Sequence, residues 1–85
     1  MKRILHILKR KNDPYPLEII RKQSETHEVA VILIQEATHL ELKGTKASVS
    51  ILREDQEEER PASYPSIGYQ EMLDRIFNAD LVVTW

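Results

Sequence analysis

Cysteine is absent from this chain of 85 residues. Its absence excludes disulfides, thiolate nucleophiles, persulfide carriers and iron–sulfur clusters, and it removes most structural zinc sites. Only two glycines are present, Gly44 and Gly68, so the glycine-rich phosphate loops of Rossmann and P-loop proteins are also excluded. We therefore predict no cofactor and no metal.

Long apolar runs are also missing. The stretch from Ile4 to Leu8 is closed after five residues by Lys9, Arg10 and Lys11, which makes it too short for a signal sequence or a membrane span. This pattern predicts a cytoplasmic protein with no membrane partner. At this length we expect a single domain, residues 1–85, whose small core makes a partner or self-association favourable.

Charge is unevenly distributed along the chain. Residues 1–22 hold seven Lys or Arg and two acids, whereas residues 23–85 hold five Lys or Arg and twelve acids. A basic end can meet RNA phosphates or an acidic partner. Solvated lysines on strand ends and a helix face are the favoured interpretation, because no aromatic-interleaved or arginine-rich motif accompanies them. We expect no direct binding to nucleic acid.

The first half of the chain predicts strand, helix, strand and a short helix. Lys2–Leu8 is apolar and ends before a turn cluster, and Pro16 suits the start of a helix of about ten residues. Val29–Ile34 is a continuous apolar, mostly β-branched run, as in strands buried on both faces of a parallel sheet. One or two helical turns should follow from Gln35 and end at Gly44 as a left-handed C-cap.

The second half repeats this alternation. Ala47, Val49 and Ile51 alternate with serines, which predicts a strand with one less buried side. Residues 53–60 contain no apolar side chain and are predicted to form a solvated loop or an exposed helical turn without core residues. A brief fourth strand lies within residues 64–68, and residues 81–85 form the last strand. Between them lies an amphipathic helix from Tyr69, whose apolar side is Met72, Leu73, Ile76 and Phe77. The prediction is an α/β fold of three layers, α/β/α, with a mostly parallel sheet of four to five strands and right-handed crossovers.

Four residues are candidates for a cleft or an interface. His6 lies within the first strand, where a histidine is either a hydrogen-bonded core residue or a polar group presented at a cleft. Gln35 and Glu36 directly follow the buried strand, where ligands of open α/β sheets gather. Trp85 in the last strand is either a packed core residue or an anchor in a neighbouring subunit.

Other constellations are weaker. Glu36 and His39 share a helix face, as in carboxylate metal sites, but no further ligands accompany the pair. The serines lack the sequence context of a nucleophile elbow. We accordingly predict no catalytic residues.

Four segments together resemble the TusB/DsrH family, which belongs to the DsrE/F/H-like sulfur-relay superfamily. They cover nearly the whole chain in order: residues 4–8 (ILHIL), 31–37 (VILIQEA), 47–55 (ASVSILRED), and 69–73 with 82–85 (YQEML and VVTW). In the second segment Ala37 stands where the family usually has glycine, so the turn after the second strand should differ. Compared with the family, the segment after Asp55 is also unusually acidic.

The resemblance implies a DsrE/F/H-like fold and a non-catalytic subunit of a persulfide-transfer complex. Such a complex supports 2-thiolation of the tRNA wobble uridine or sulfur oxidation, and its sulfur-bearing cysteine belongs chiefly to a sister subunit. The implied partners are DsrE-like and DsrF-like (TusD-like and TusC-like) subunits, with only an indirect link to tRNA. Residues 11–26, where some family members carry a cysteine, have none.

Two other hypotheses stay open. The chain can be a homodimeric α/β binding module without a sulfur role. It can also be a small enzyme that uses His6 or His39 with Glu36 as acid and base.

Overall fold

The computed structural model describes residues 2–42, 44–55 and 64–85. The strands are β1 (Arg3–Leu8), β2 (Glu28–Leu33), β3 (Ser48–Leu52), β4 (Ser66–Ile67) and β5 (Leu81–Thr84). The helices are α1 (Tyr15–Gln23) and α2 (Tyr69–Asn78), with 3₁₀ helices over Gln35–His39 and Arg53–Asp55.

The five strands form one parallel sheet in the order β4-β3-β2-β1-β5. Strand β2 is central, and in the neighbouring β1 Leu5 lies between Ala30 of β2 and Val82 of the edge strand β5. The connections β1-α1-β2 and β4-α2-β5 travel in opposite directions across the sheet, so right-handed crossovers place the two helices on opposite faces. The predicted α/β class and its parallel sheet are confirmed.

Each face of the sheet has its own apolar cluster, because successive strand residues point to opposite sides. On the α1 face, Ile20 is fully buried against Ile4 and Leu8. On the α2 face, Met72 and Ile76 pack partly buried against a cluster that includes Leu5 and Ile7. None of the residues of α2 is fully buried, whereas α1 buries Pro16 and Ile20. The α2 face is therefore the less completely covered one.

Two local predictions are corrected. The helical turn after β2 ends at His39, and Leu40 follows in an extended conformation, so Gly44 is not its C-cap although its φ of 74° is left-handed. The predicted apolar side of α2 is also too wide: Leu73 and Phe77 are exposed and only Met72 and Ile76 pack on the sheet. For the segment after β3, the alternative of an exposed helical turn is the one observed over residues 53–55, which form a 3₁₀ helix; residues 56–60 lie outside the described part of the chain.

The described helices are short, and none of them has the length and apolar character that a membrane crossing requires.

Candidate functional site

His6 is fully buried on the α1 face of β1, and both of its ring nitrogens have partners. Its Nε2 lies 2.6 Å from Oε1 of Gln23, the last residue of α1. The indole Nε1–H of Trp85 donates to His6 Nδ1 at 3.0 Å, and the two rings are nearly parallel, with an interplanar angle of 19° and centroids 6.1 Å apart. Of the two interpretations of His6, the hydrogen-bonded core residue is the one observed.

The partners of His6 define its protonation. Because the indole N–H can only donate, Nδ1 must accept, and the ring proton must lie on Nε2, which donates to the Gln23 carbonyl oxygen. Burial lowers the pKa of His6 below its ordinary value of 6.5, and the hydrogen bond with Gln23 opposes this shift only in part. A second ring proton on Nδ1 would face the indole N–H, so the imidazole is held neutral.

Trp85 is the packed residue that links the last strand to the core. Its backbone N–H donates to the Ile7 carbonyl at 3.0 Å, which extends the β1–β5 ladder by one bond. Its ring is partly buried against the α1-face cluster. Sequence reasoning named His6 and Trp85 separately, 79 residues apart, and missed Gln23, which carries no signal beyond its place in α1.

Gln35 and Glu36 lie apart from this pair, at the carboxyl end of β2. Gln35 adopts a φ of 50°, a left-handed conformation that is uncommon for residues other than glycine. Its N–H donates to Oδ2 of Asp55, which follows β3, at 3.0 Å. This bond joins the ends of two neighbouring strands, while the side chains of Gln35 and Glu36 remain exposed.

Position 37, where the family usually has glycine, is occupied here by an alanine that has no left-handed backbone conformation. Ala37 is fully buried within the 3₁₀ helix and belongs to the α1-face cluster. The left-handed residue is Gln35, two positions earlier. A small apolar side chain at position 37 therefore contributes to the core.

A cavity of about 370 Å³ opens beside the carboxyl end of β1, between the loop that precedes α1 and the extended segment after the 3₁₀ helix. Its walls combine apolar residues with charged ones: Leu8, Pro16, Leu17, Leu40 and Leu42, with Arg10, Lys11, Asp13 and Glu41. Together with Gln35 and Glu36 it gives the carboxyl edge of the sheet a mixed apolar and charged surface.

No group of three or more His, Asp or Glu side chains within residues 2–42, 44–55 and 64–85 is placed to hold a metal ion.

No protein-family model matches the chain, and no curated protein matches it either.

Proposed function

We propose that this protein is a non-catalytic subunit of a sulfur-relay complex that supports tRNA wobble-uridine thiolation or sulfur oxidation. The observation that carries the proposal is the state of His6, a buried reactive side chain in a chain that has no cysteine. Both ring nitrogens are engaged and the imidazole is neutral, so His6 stabilises the fold instead of exchanging protons with a substrate. The contribution left to such a chain is contact with a protein that bears the sulfur.

The assignment to sulfur relay rests on the four sequence segments that resemble the TusB/DsrH family. Two of these segments contain candidate cleft or interface residues: the first strand holds His6, and the second strand is followed by Gln35 and Glu36. Within the proposal, the carboxyl edge of the sheet is where a cysteine-bearing sister subunit docks. The fixed backbone of Gln35, the exposed side chain of Glu36 and the adjacent cavity give this edge a defined shape and charge.

Co-purification tests the proposal. The tagged full chain is expressed together with a DsrE-like and a DsrF-like protein from the same genome, and we expect a stable complex. Glu36→Lys should weaken the complex by reversing a charge at the docking edge. Glu18→Lys is the matched control, because it makes the same change on the exposed side of α1.

The possible outcomes test the sulfur-relay role and the location of the docking site separately. If no such partner co-purifies or is encoded nearby, the sulfur-relay role is wrong. Equal effects of the two substitutions would move the docking site away from Glu36 while leaving the subunit role in place. Loss of 2-thiouridine from tRNA on deletion of the gene, measured by mass spectrometry, distinguishes thiolation from sulfur oxidation.

A further inference from the structure

Helix α2 carries an exposed apolar stripe that its own sheet does not cover. Tyr69, Leu73 and Phe77 recur at every fourth position, which aligns them along one side of the helix. Their exposed fractions are 52%, 45% and 82%. Gln70 lies next to these three residues on the helix surface and is uncharged. No charged side chain therefore lies between them.

The stripe faces the β5 side of the molecule. On the opposite flank of α2, Arg75 Nη1 donates to Ser50 Oγ of β3 at 2.9 Å, while Met72 and Ile76 point down to the sheet. Because β3 and β5 lie on opposite sides of the central strands, the flank turned away from Arg75 is turned toward β5. The apolar stripe and the edge of the sheet therefore belong to one surface.

Strand β5 is an edge strand without the usual protection. In the part of the chain that the structure describes, it pairs with β1 on one side and has no neighbour on the other. Edge strands of monomers are commonly blocked by lysine, proline or a bulge. The residues of β5, Leu81–Thr84, include no charge and no proline, and three of the four are apolar. Such an edge is a template for another strand.

We infer that the surface formed by β5 and by Tyr69, Leu73 and Phe77 of α2 binds a second copy of this chain across a two-fold axis. The β5 strands would pair antiparallel and join the two sheets into one of ten strands. A two-fold axis of this kind also places the two α2 helices side by side on one face of the joined sheet, so that the two stripes meet.

A second copy is the occupant that fits the charge, the spacing and the area of this surface. An uncharged stripe meets its own copy without like-charge repulsion. Helix α2 packs on β1, and two β1 strands separated by two β5 strands are about 14 Å apart at about 4.8 Å per spacing. A helix is about 10–12 Å across with its side chains, so at this separation the large side chains of the two stripes are close enough to meet.

The exposed area is also of the right order. Tyr69, Leu73, Phe77 and Leu81 expose roughly 400 Å² of side chain, about half of the roughly 800 Å² that each partner contributes to a standard interface. Burial of the backbone edge and of the polar rim would supply much of the rest. The same contact would complete the coverage of α2, which has no fully buried residue within the monomer.

Sedimentation equilibrium of the full chain tests the dimer. We expect a dimer whose dissociation constant rises at least about 30-fold in Phe77→Asp, because the substitution places a charge in the apolar contact. Tyr15→Asp is the matched control, since Tyr15 is 68% exposed on α1, outside the surface. Circular dichroism should show both variants folded, because both side chains are exposed in the monomer.

A second pair of variants tests the strand pairing. The Trp85 N–H points to β1, so the Thr84 N–H, one residue earlier, points away from β1. Thr84→Pro removes this outward donor and keeps the β1 ladder, and it should weaken the dimer, whereas Thr84→Val should not. In the cysteine-free background, Leu73→Cys should be cross-linked to its copy by a short bis-maleimide and Tyr15→Cys should not.

Three results would overturn the inference: a monomer at all concentrations that solubility allows, a dimer indifferent to Phe77→Asp and Thr84→Pro, or a surface occupied only by a different subunit whose binding these variants abolish. The inference does not depend on the sulfur-relay proposal. If the dimer is not found, docking of a sister subunit at Glu36 is still tested separately by Glu36→Lys and Glu18→Lys.

Discussion

At the scale of single residues, the His6 contacts decide between chemistry and structure. A histidine within an apolar strand is compatible with either role, because its sequence neighbours say nothing about what its two nitrogens meet. The structure supplies Gln23 from α1 and Trp85 from the end of β5. The ring thereby ties three elements of the α1 face together, and an unpartnered buried nitrogen would cost about 1–3 kcal/mol.

The stability of the fold should depend on pH through His6. Its pKa is lowered in the folded chain by burial, so as the pH falls through about 6.5 the unfolded chain takes up the proton first. The free energy of unfolding should then decrease until the pH reaches the lowered pKa of the folded state, and above pH 6.5 the full contribution is present. Urea unfolding across this range measures the slope.

His6→Gln is the control for this dependence, because it removes the imidazole and leaves the other titratable groups. The variant should be less stable overall but lose less additional stability as the pH falls. Equal pH slopes in the two proteins, or an NMR titration that places the His6 pKa at or above 6.5, would contradict the assignment of a buried neutral ring.

At the scale of elements, the two glycines of the chain have different roles. Gly44 has a φ of 74°, and a Cβ there would lie 3.3 Å from Arg21 Nε. Gly68 precedes α2 with a φ of −88°, which any residue can adopt, and the nearest atom to a Cβ is Arg53 Nη1 at 3.7 Å. Only the first position requires glycine.

Gly44→Ala should therefore destabilise the protein by about 1 kcal/mol or more, because alanine is strained at a left-handed φ. Gly68→Ala should cost less than Gly44→Ala: alanine is a poorer N-cap for α2 than glycine, but at an unstrained φ its restriction of the unfolded chain offsets that loss. Urea unfolding of the two variants compares them directly. A loss at Gly68 equal to that at Gly44 would mean that crowding, and not backbone conformation, limits both positions.

Helix α2 shows the limit of hydrophobic periodicity. The pattern of Met72, Leu73, Ile76 and Phe77 correctly predicts the existence and extent of the helix. It does not separate the residues that pack on the sheet from those that remain exposed, because both sets are apolar and adjacent on the helix surface. In the sequence alone, apolar residues that form an interaction surface look the same as apolar residues that form a core.

At the scale of the whole molecule, stability depends on a small two-sided core. A domain of this size is stabilised by about 5–15 kcal/mol, so single buried side chains contribute a large fraction. Ile20→Ala should lower the free energy of unfolding by about 2–5 kcal/mol, because Ile20 is fully buried between α1 and the sheet.

The neighbouring residue supplies the comparison for this prediction. Ile19 is exposed on the same helix, and Ile19→Ala removes the same atoms at a cost below about 1 kcal/mol. Urea unfolding under identical conditions gives both values. Similar losses at the two positions would show that α1 does not bury Ile20 against the sheet in solution.

The sequence by itself determined the class of fold, since local composition and periodicity specify strands and helices: Val29–Ile34 required cover on both faces, and the alternation of elements required a parallel sheet. The lack of cysteine likewise excluded a persulfide on a cysteine of this sequence. Only the tertiary structure decided that His6 meets Trp85 and Gln23, that Gln35 takes the strained turn, and that Phe77 faces outward. These facts depend on contacts between residues far apart in the chain, which local patterns do not encode.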